Sequence, residues 1–122
     1  MAARISEAEA KVMEALWREA PLTAEQVVAE IAAAQSWSEA TVKTLLNRLL
    51  RKKAIAARRD GKRYLYRPRL KREDYVAIES RDLLDRLFDG RLAPLIAHFS
   101  ERQELSPEEI AEIRKLIGKL GP

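Results

Sequence analysis

Cysteine is absent from this chain, and histidine occurs only once. Without thiols there is no disulfide framework, no thiolate metal site and no cysteine nucleophile. The sequence also lacks Gly-rich phosphate loops and metal-ligand spacings, so the titratable set that a hydrolytic or acid–base active site needs is missing. We therefore expect neither an enzyme nor a cofactor.

Long apolar runs are missing as well. No segment approaches the roughly 18–20 apolar residues that span a bilayer, and the N-terminal stretch MAARISEAEAKV has no signal-peptide core. We expect a cytoplasmic protein that does not insert into membranes. Its 122 residues suit one globular unit, or a small domain with an appendage.

Positive charge, by contrast, is concentrated in one part of the chain. The whole protein has a net charge of only +4, yet the stretch from Lys43 to Arg69 holds eleven bases and a single acid, Asp60. Residues 1–70 carry a net charge of +6 and residues 71–122 a net charge of −2. Only the first part therefore has an electrostatic reason to meet a polyanion such as DNA.

The hydrophobic pattern predicts three helices followed by a hairpin in residues 1–70. Ser6 and Thr23 begin capping-box patterns, and Ser38 is a favourable N-cap for a third helix. From Ile55 the period becomes two, and residues 55–59 and 64–66 are expected to pair across Asp60-Gly61-Lys62. The fold class is mainly α: a winged helix-turn-helix domain of three helices and a two-stranded β wing.

Residues 71–122 return to helical spacing. Asp89-Gly90 is expected to end one helix, Pro94 lies in the first turn of the next, and Ser106-Pro107 begins a last one. About fifty residues seldom bury enough apolar surface to be stable alone. We expect a helical dimerisation domain, with a second copy of the chain as its partner.

The third helix has the side chains of a DNA-reading helix. Its apolar arc should consist of Val42, Leu45, Leu46 and Leu49. The opposite arc carries Thr, Asn and Arg side chains, which contact base edges and phosphates. For Arg51, Lys52 and Lys53 two interpretations stay open, because bases in a last turn also complement the helix dipole.

The hairpin tip is almost entirely basic. Arg58, Arg59, Lys62 and Arg63 surround Gly61, and Asp60 is the only acid among them. Charged edges also protect sheets from aggregation, but protection works with mixed signs as readily as with one. A single sign favours contact with phosphates.

Several strings resemble the BlaI/MecI/CopY family of penicillinase-type repressors. They include ISEAEAKVMEALW, SWSEATVKTLLNRLLRKKAI and GKRYLYRP in the first part, and SRDLLDRLFDGRLAPLIAHF in the second. The resemblance implies a homodimeric repressor that binds a pseudo-palindromic operator on double-stranded DNA. The groove residues would be Thr41, Lys43, Thr44, Asn47 and Arg48. The backbone-contacting residues would be Arg51, Lys52, Arg58, Arg59, Lys62 and Arg63. The dimer interface would contain Leu84, Leu87, Phe88, Leu95, Ile96, Phe99, Ile110, Ile113, Leu116 and Ile117.

The resemblance also bears on regulation. Members that sense copper use a cysteine-rich tail, which a chain without cysteine lacks. Other members are inactivated when a membrane-bound sensor protease pathway cleaves them before a Phe, and the matching position is His98-Phe99. The alternative is that Phe99 belongs to the interface core and His98 to the helix surface. The alternative overall function is a nonspecific or architectural DNA-binding winged-helix protein, since fold alone does not fix function.

Overall fold

A computed structural model describes residues 4–121 and confirms the mainly helical winged helix-turn-helix fold. The elements are α1 (Glu7–Arg18), β1 (Leu22–Thr23), α2 (Ala24–Gln35), α3 (Glu39–Arg51), β2 (Ile55–Asp60), β3 (Arg63–Pro68), α4 (Arg72–Phe88), α5 (Leu92–Glu101) and α6 (Pro107–Lys119). The chain divides into two compact units, the first ending at Tyr75 and the second beginning at Val76. Within residues 4–121, no helix is long and apolar enough to cross a membrane.

The first three helices begin at the predicted caps. Ser6 accepts a hydrogen bond from the backbone N–H of Glu9, and the Glu9 carboxylate accepts one from the Ser6 N–H. Thr23 and Gln26 form the same reciprocal pair at the start of α2. The Ser38 side chain accepts from the N–H of Thr41 at 3.1 Å. These bonds satisfy N–H groups that a helix start otherwise leaves without partners.

The core of the first unit lies between α1, α2, α3 and the beginning of β2. Its largest fully buried apolar side chains are Met13, Leu16, Leu46, Leu49 and Ile55. Each such side chain stabilises the fold by roughly 1.5–3 kcal/mol relative to an exposed one. All four predicted apolar positions of α3 are buried, so the opposite face of that helix must lie at the surface.

The wing is part of a three-stranded antiparallel sheet with the order β1-β3-β2. Strand β1 pairs Leu22 with Tyr66 and Thr23 with Leu65. The sequence predicted only β2 and β3, because a two-residue strand is too short to show alternation. The turn between them is Gly61-Lys62, and Gly61 has a φ of +66°, which a tight hairpin requires and glycine adopts without strain.

The second unit contains most of α4 and all of α5 and α6. Asp89 and Gly90 both have positive φ angles directly after α4, as predicted for its end. Ser106 accepts from the N–H of Glu109 and begins α6, with Pro107 in the first turn. None of the three helices contains a buried residue. Their apolar side chains are therefore only partly covered by this chain itself.

Candidate nucleic-acid interface

The exposed face of α3 carries every base-reading side chain predicted from the sequence. Val42, Leu45 and Leu49 anchor the helix on its buried side, and at 100° per residue the polar positions between them turn outward. The five predicted groove residues are all exposed: Thr41, Lys43, Thr44, Asn47 and Arg48. The structure therefore brings them together on one surface of one helix.

Local hydrogen bonds hold the two threonines of this face. The Thr44 hydroxyl donates to the carbonyl of Ala40 at 3.0 Å, and the Thr41 hydroxyl lies 3.0 Å from that of Ser38. A hydroxyl with a partner in its own helix keeps its methyl group in one position. That arrangement suits contact with a thymine methyl, while the oxygen can still accept a hydrogen bond.

The three basic residues at the C-terminal end of α3 have different surroundings. Arg51 and Lys53 are exposed. Lys52 instead extends back to α1, where its ammonium lies 2.5 Å from the Glu9 carboxylate and 2.9 Å from the carbonyl of Arg4. The Glu9 side chain is only 1% exposed. Lys52 is therefore held in an ion pair whose acid is buried and whose base is partly exposed.

Glu9 stays ionised because its partners outweigh its burial. Burial raises the pKa of this carboxyl. Hydrogen bonds from Lys52 and Ser6 and the positive charge of Lys52 lower the pKa by more than burial raises it. The net pKa lies below the ordinary glutamate value of 4.5. At neutral pH the fold thus contains a carboxylate whose charge Lys52 compensates.

The wing places its predicted basic residues at and beside the turn. Arg58, Arg59, Lys62 and Arg63 are all exposed. The Arg59 guanidinium lies over the ring of Tyr64, 6.0 Å from its centroid, and Arg63 is 3.5 Å from Asp60. Among the described residues, Arg58 and Lys62 form no ion pair. Both remain available to an external anion.

A cleft joins the wing to the helices. It has a volume of about 210 Å³ and is lined by Thr23, Ala24, Glu25, Lys43, Arg63, Tyr64 and Tyr66. Tyr66 packs against the core, whereas Tyr64 is 48% exposed. Lys43 also contacts Glu39 of its own helix at 3.1 Å. Lys43 of α3 and strand β3 of the wing therefore line one concave surface.

Sequence reasoning did not find two features of this surface. The first is that Thr23 and Ala24, at the predicted start of α2, form a wall of the cleft. The second is the pair between Glu9 and Lys52, whose members are 43 residues apart. The capping box gave a reason for Glu9 but none for Lys52. Only the packing of α1 on α3 brings the two charges together.

In the second unit, the predicted interface residues lie on exposed or half-exposed surfaces. Leu87, Leu116 and Ile117 are 61%, 56% and 58% exposed. The remaining predicted members are at most partly buried: Leu84, Phe88, Leu95, Ile96, Phe99, Ile110 and Ile113. The predicted cleavage position lies inside α5, where the His98 ring is 5.2 Å from Phe99 and 6.2 Å from Phe88, centroid to centroid.

Comparison with known proteins shows the family of this chain. The family model described as Penicillinase repressor matches residues 5–119. The penicillinase repressor of Bacillus licheniformis is 32% identical over 114 residues, which cover 93% of this chain and 89% of that protein. The methicillin resistance regulatory protein MecI of Mammaliicoccus sciuri is 30% identical over 115 residues, 94% of each chain.

Solved structures agree with this result. The DNA-binding domain of the repressor BlaI matches with a TM-score of 0.57 and 31% identity, over 62% of this chain and 92% of that one. The Bacillus licheniformis BlaI monomeric form in complex with the blaP half-operator matches with a TM-score of 0.55, 31% identity and the same coverage. The chain belongs to the penicillinase repressor family.

Proposed function

We propose that this protein is a sequence-specific DNA-binding transcriptional repressor. The observation that carries the proposal is the exposed Thr, Asn and Arg face of α3 beside a one-signed basic wing, on a fold similar to a repressor solved on its half-operator. Helix α3 enters the major groove, where base pairs are distinguishable. Its family is one of repressors and not of enzymes.

Within the complex the proposed contacts divide by chemistry. Thr41, Lys43, Thr44, Asn47 and Arg48 face the groove, and their side chains supply the hydrogen bonds and methyl contacts that read bases. The exposed bases Arg51, Arg58, Arg59, Lys62 and Arg63 lie along the phosphate backbone. Lys52 was predicted in the same group, but its ammonium already has two partners.

The repressor acts as a homodimer on a pseudo-palindromic operator. Support comes from the second unit, in which α4, α5 and α6 have no buried residue while carrying several exposed leucines and isoleucines. A second copy covers these side chains through the ten interface positions predicted from the sequence. Two-fold symmetry then requires two half-sites with centres about one helical turn, or a multiple of it, apart.

We further propose that a membrane sensor protease pathway regulates the repressor by cleaving it before Phe99. The bond between His98 and Phe99 lies within a regular helix, so a protease gains access only after α5 unwinds locally. Cleavage there would divide the apolar surface that the dimer uses. The protein acts in the cytoplasm, where its DNA is.

The test is a pull-down of sheared genomic DNA from the source organism with the purified full-length protein, followed by sequencing. We expect a few sharp peaks that share a palindrome. An operator should be bound about 10³-fold or more tightly than scrambled DNA of equal length. A sequencing profile without peaks, together with DNA binding that is lost when salt is added, would contradict specific repression. It would instead indicate a nonspecific or architectural DNA-binding protein.

A further inference from the structure

Lys52 lies at the junction between the two elements that meet DNA in the proposed function. It is the C-cap residue of α3, and its backbone N–H donates to the carbonyl of Arg48. Lys53 follows with a φ of +63°, and Ala54 and Ile55 are buried at the start of β2. The chain thus passes from the reading helix into the wing within three residues, and the position of Lys52 affects both.

The side chain of Lys52 connects this junction to the beginning of α1. Its ammonium donates to the Glu9 carboxylate and to the carbonyl of Arg4. The lysine side chain is 29% exposed, whereas that of Glu9 is 1% exposed. The pair therefore lies with its acid inside the protein and its base at the edge.

The Glu9 carboxylate depends strongly on Lys52. Its Oε1 accepts from Lys52 and, at 2.7 Å, from the N–H of Ser6. Its Oε2 is buried and has no hydrogen-bond partner in the part of the chain that the structure describes. If the ammonium moved away to a phosphate, a buried negative charge would keep only the Ser6 hydrogen bond. Such a charge is costly, so the structure opposes that movement.

We propose that Lys52 is a positioning residue for DNA binding: it fixes the end of α3 and the start of the wing relative to α1 by pairing with Glu9, and it does not contact phosphate. This inference rests on the proposed function of the α3 face and the wing. It assigns different roles to Lys52 and to its exposed neighbour Arg51, although both are basic residues at the end of the same helix.

The experiment compares Lys52→Met, Glu9→Gln and the double variant in the full-length protein. Glutamine keeps the capping-box acceptor at position 9 without its charge. Affinity is measured at several salt concentrations for the duplex recovered in the genomic pull-down and for a scrambled duplex, and urea unfolding is followed in parallel. Lys62→Met is the control for loss of a genuine phosphate contact, and it should make the slope of log affinity against log salt about 0.9 less negative.

We expect Lys52→Met to weaken binding of the recovered duplex by roughly 2–30-fold, with the salt slope of the wild type. The double variant should recover the part of the loss that comes from the uncompensated Glu9 charge, and it should keep the part that comes from the missing link between α1 and the end of α3. Recovery is decisive even if Lys52→Met alone folds poorly.

Two results would overturn the inference. One is a salt slope that shifts by about 0.9 in both Lys52→Met and the double variant, with no recovery of affinity, since that is the signature of a lost phosphate contact. The other is wild-type affinity and stability in Lys52→Met. If the wild-type protein binds all DNA sequences equally, the proposed function fails. The free energies of unfolding of the wild type, the two single variants and the double variant still show whether Glu9 and Lys52 are coupled.

Discussion

Arg48 is the single residue with the clearest consequence for sequence preference. It is exposed on the face of α3 that we propose enters the groove, and arginine binds the O6 and N7 atoms of guanine with two hydrogen bonds. Arg48→Ala should weaken operator binding by about 1–3 kcal/mol and relax the preference at one base pair.

Competition binding with operators mutated at each position measures this effect. Arg51→Ala is the matched control, because the same side chain lies one turn further along the helix and is proposed to contact phosphate. It should weaken binding to all sequences alike. Equal losses on operator and scrambled DNA for Arg48→Ala would remove Arg48 from the base-reading set.

The second prediction at the residue scale concerns Glu9 and the dependence of the free energy of unfolding on pH. Its pKa is lowered in the folded protein, so the folded state favours the ionised form more than the unfolded state does. The resulting stabilisation is present above the ordinary glutamate pKa of 4.5 and is lost as pH falls through the lower folded value. The free energy of unfolding should therefore decrease more steeply with acid in the wild type than in Glu9→Gln. Urea unfolding from neutral to acid pH measures this, and parallel curves would contradict it.

At the scale of elements, we propose that the wing contributes charge and α3 contributes sequence recognition. Lys62 is one of the two central residues of the β2–β3 turn and is exposed. Lys62→Met should lower affinity for operator and scrambled DNA equally and make the salt slope about 0.9 less negative, because one fewer phosphate contact releases fewer counterions.

Lys119→Met, the same change near the end of α6, should leave both slope and affinity unaltered. An unchanged slope in Lys62→Met would mean that the tip of the wing does not contact the backbone.

At the scale of the whole molecule, we propose that the two units have different functions and can be separated. The first unit ends at Tyr75, whose ring lies 5.4 Å from that of Trp17. The Trp17 indole N–H also donates to the carbonyl of Leu70 at 2.9 Å. A chain that ends at Tyr75 should fold as a monomer with much weaker operator affinity. A chain that ends at Arg69 should be less stable, because Trp17 loses both partners.

Sedimentation and thermal unfolding of the two truncated chains test this division. A dimer formed by residues 1–75 would contradict the assignment of dimerisation to α4, α5 and α6. Equal stability of the two chains would show that the Trp17 contacts add little.

The sequence by itself determined the helices, the hairpin and the character of the surface. Ser6, Thr23 and Ser38 specified helix starts because capping is a local interaction. The apolar arc of α3 specified its exposed arc, because helical geometry places the two on opposite sides. The turn of the wing was also predictable, because glycine adopts a positive φ angle without strain and few other residue types do.

Only the tertiary structure decided which of the basic residues have similar surroundings and which do not. It added β1, whose two residues carry no periodic signal, and it placed Lys43, Arg63 and Tyr64 around one cleft. It also separated Lys52 from Arg51, because only the packing of α1 on α3 brings Glu9 within hydrogen-bonding distance of one and not the other. Contacts between residues distant in sequence depend on how helices pack, and no local pattern encodes that packing.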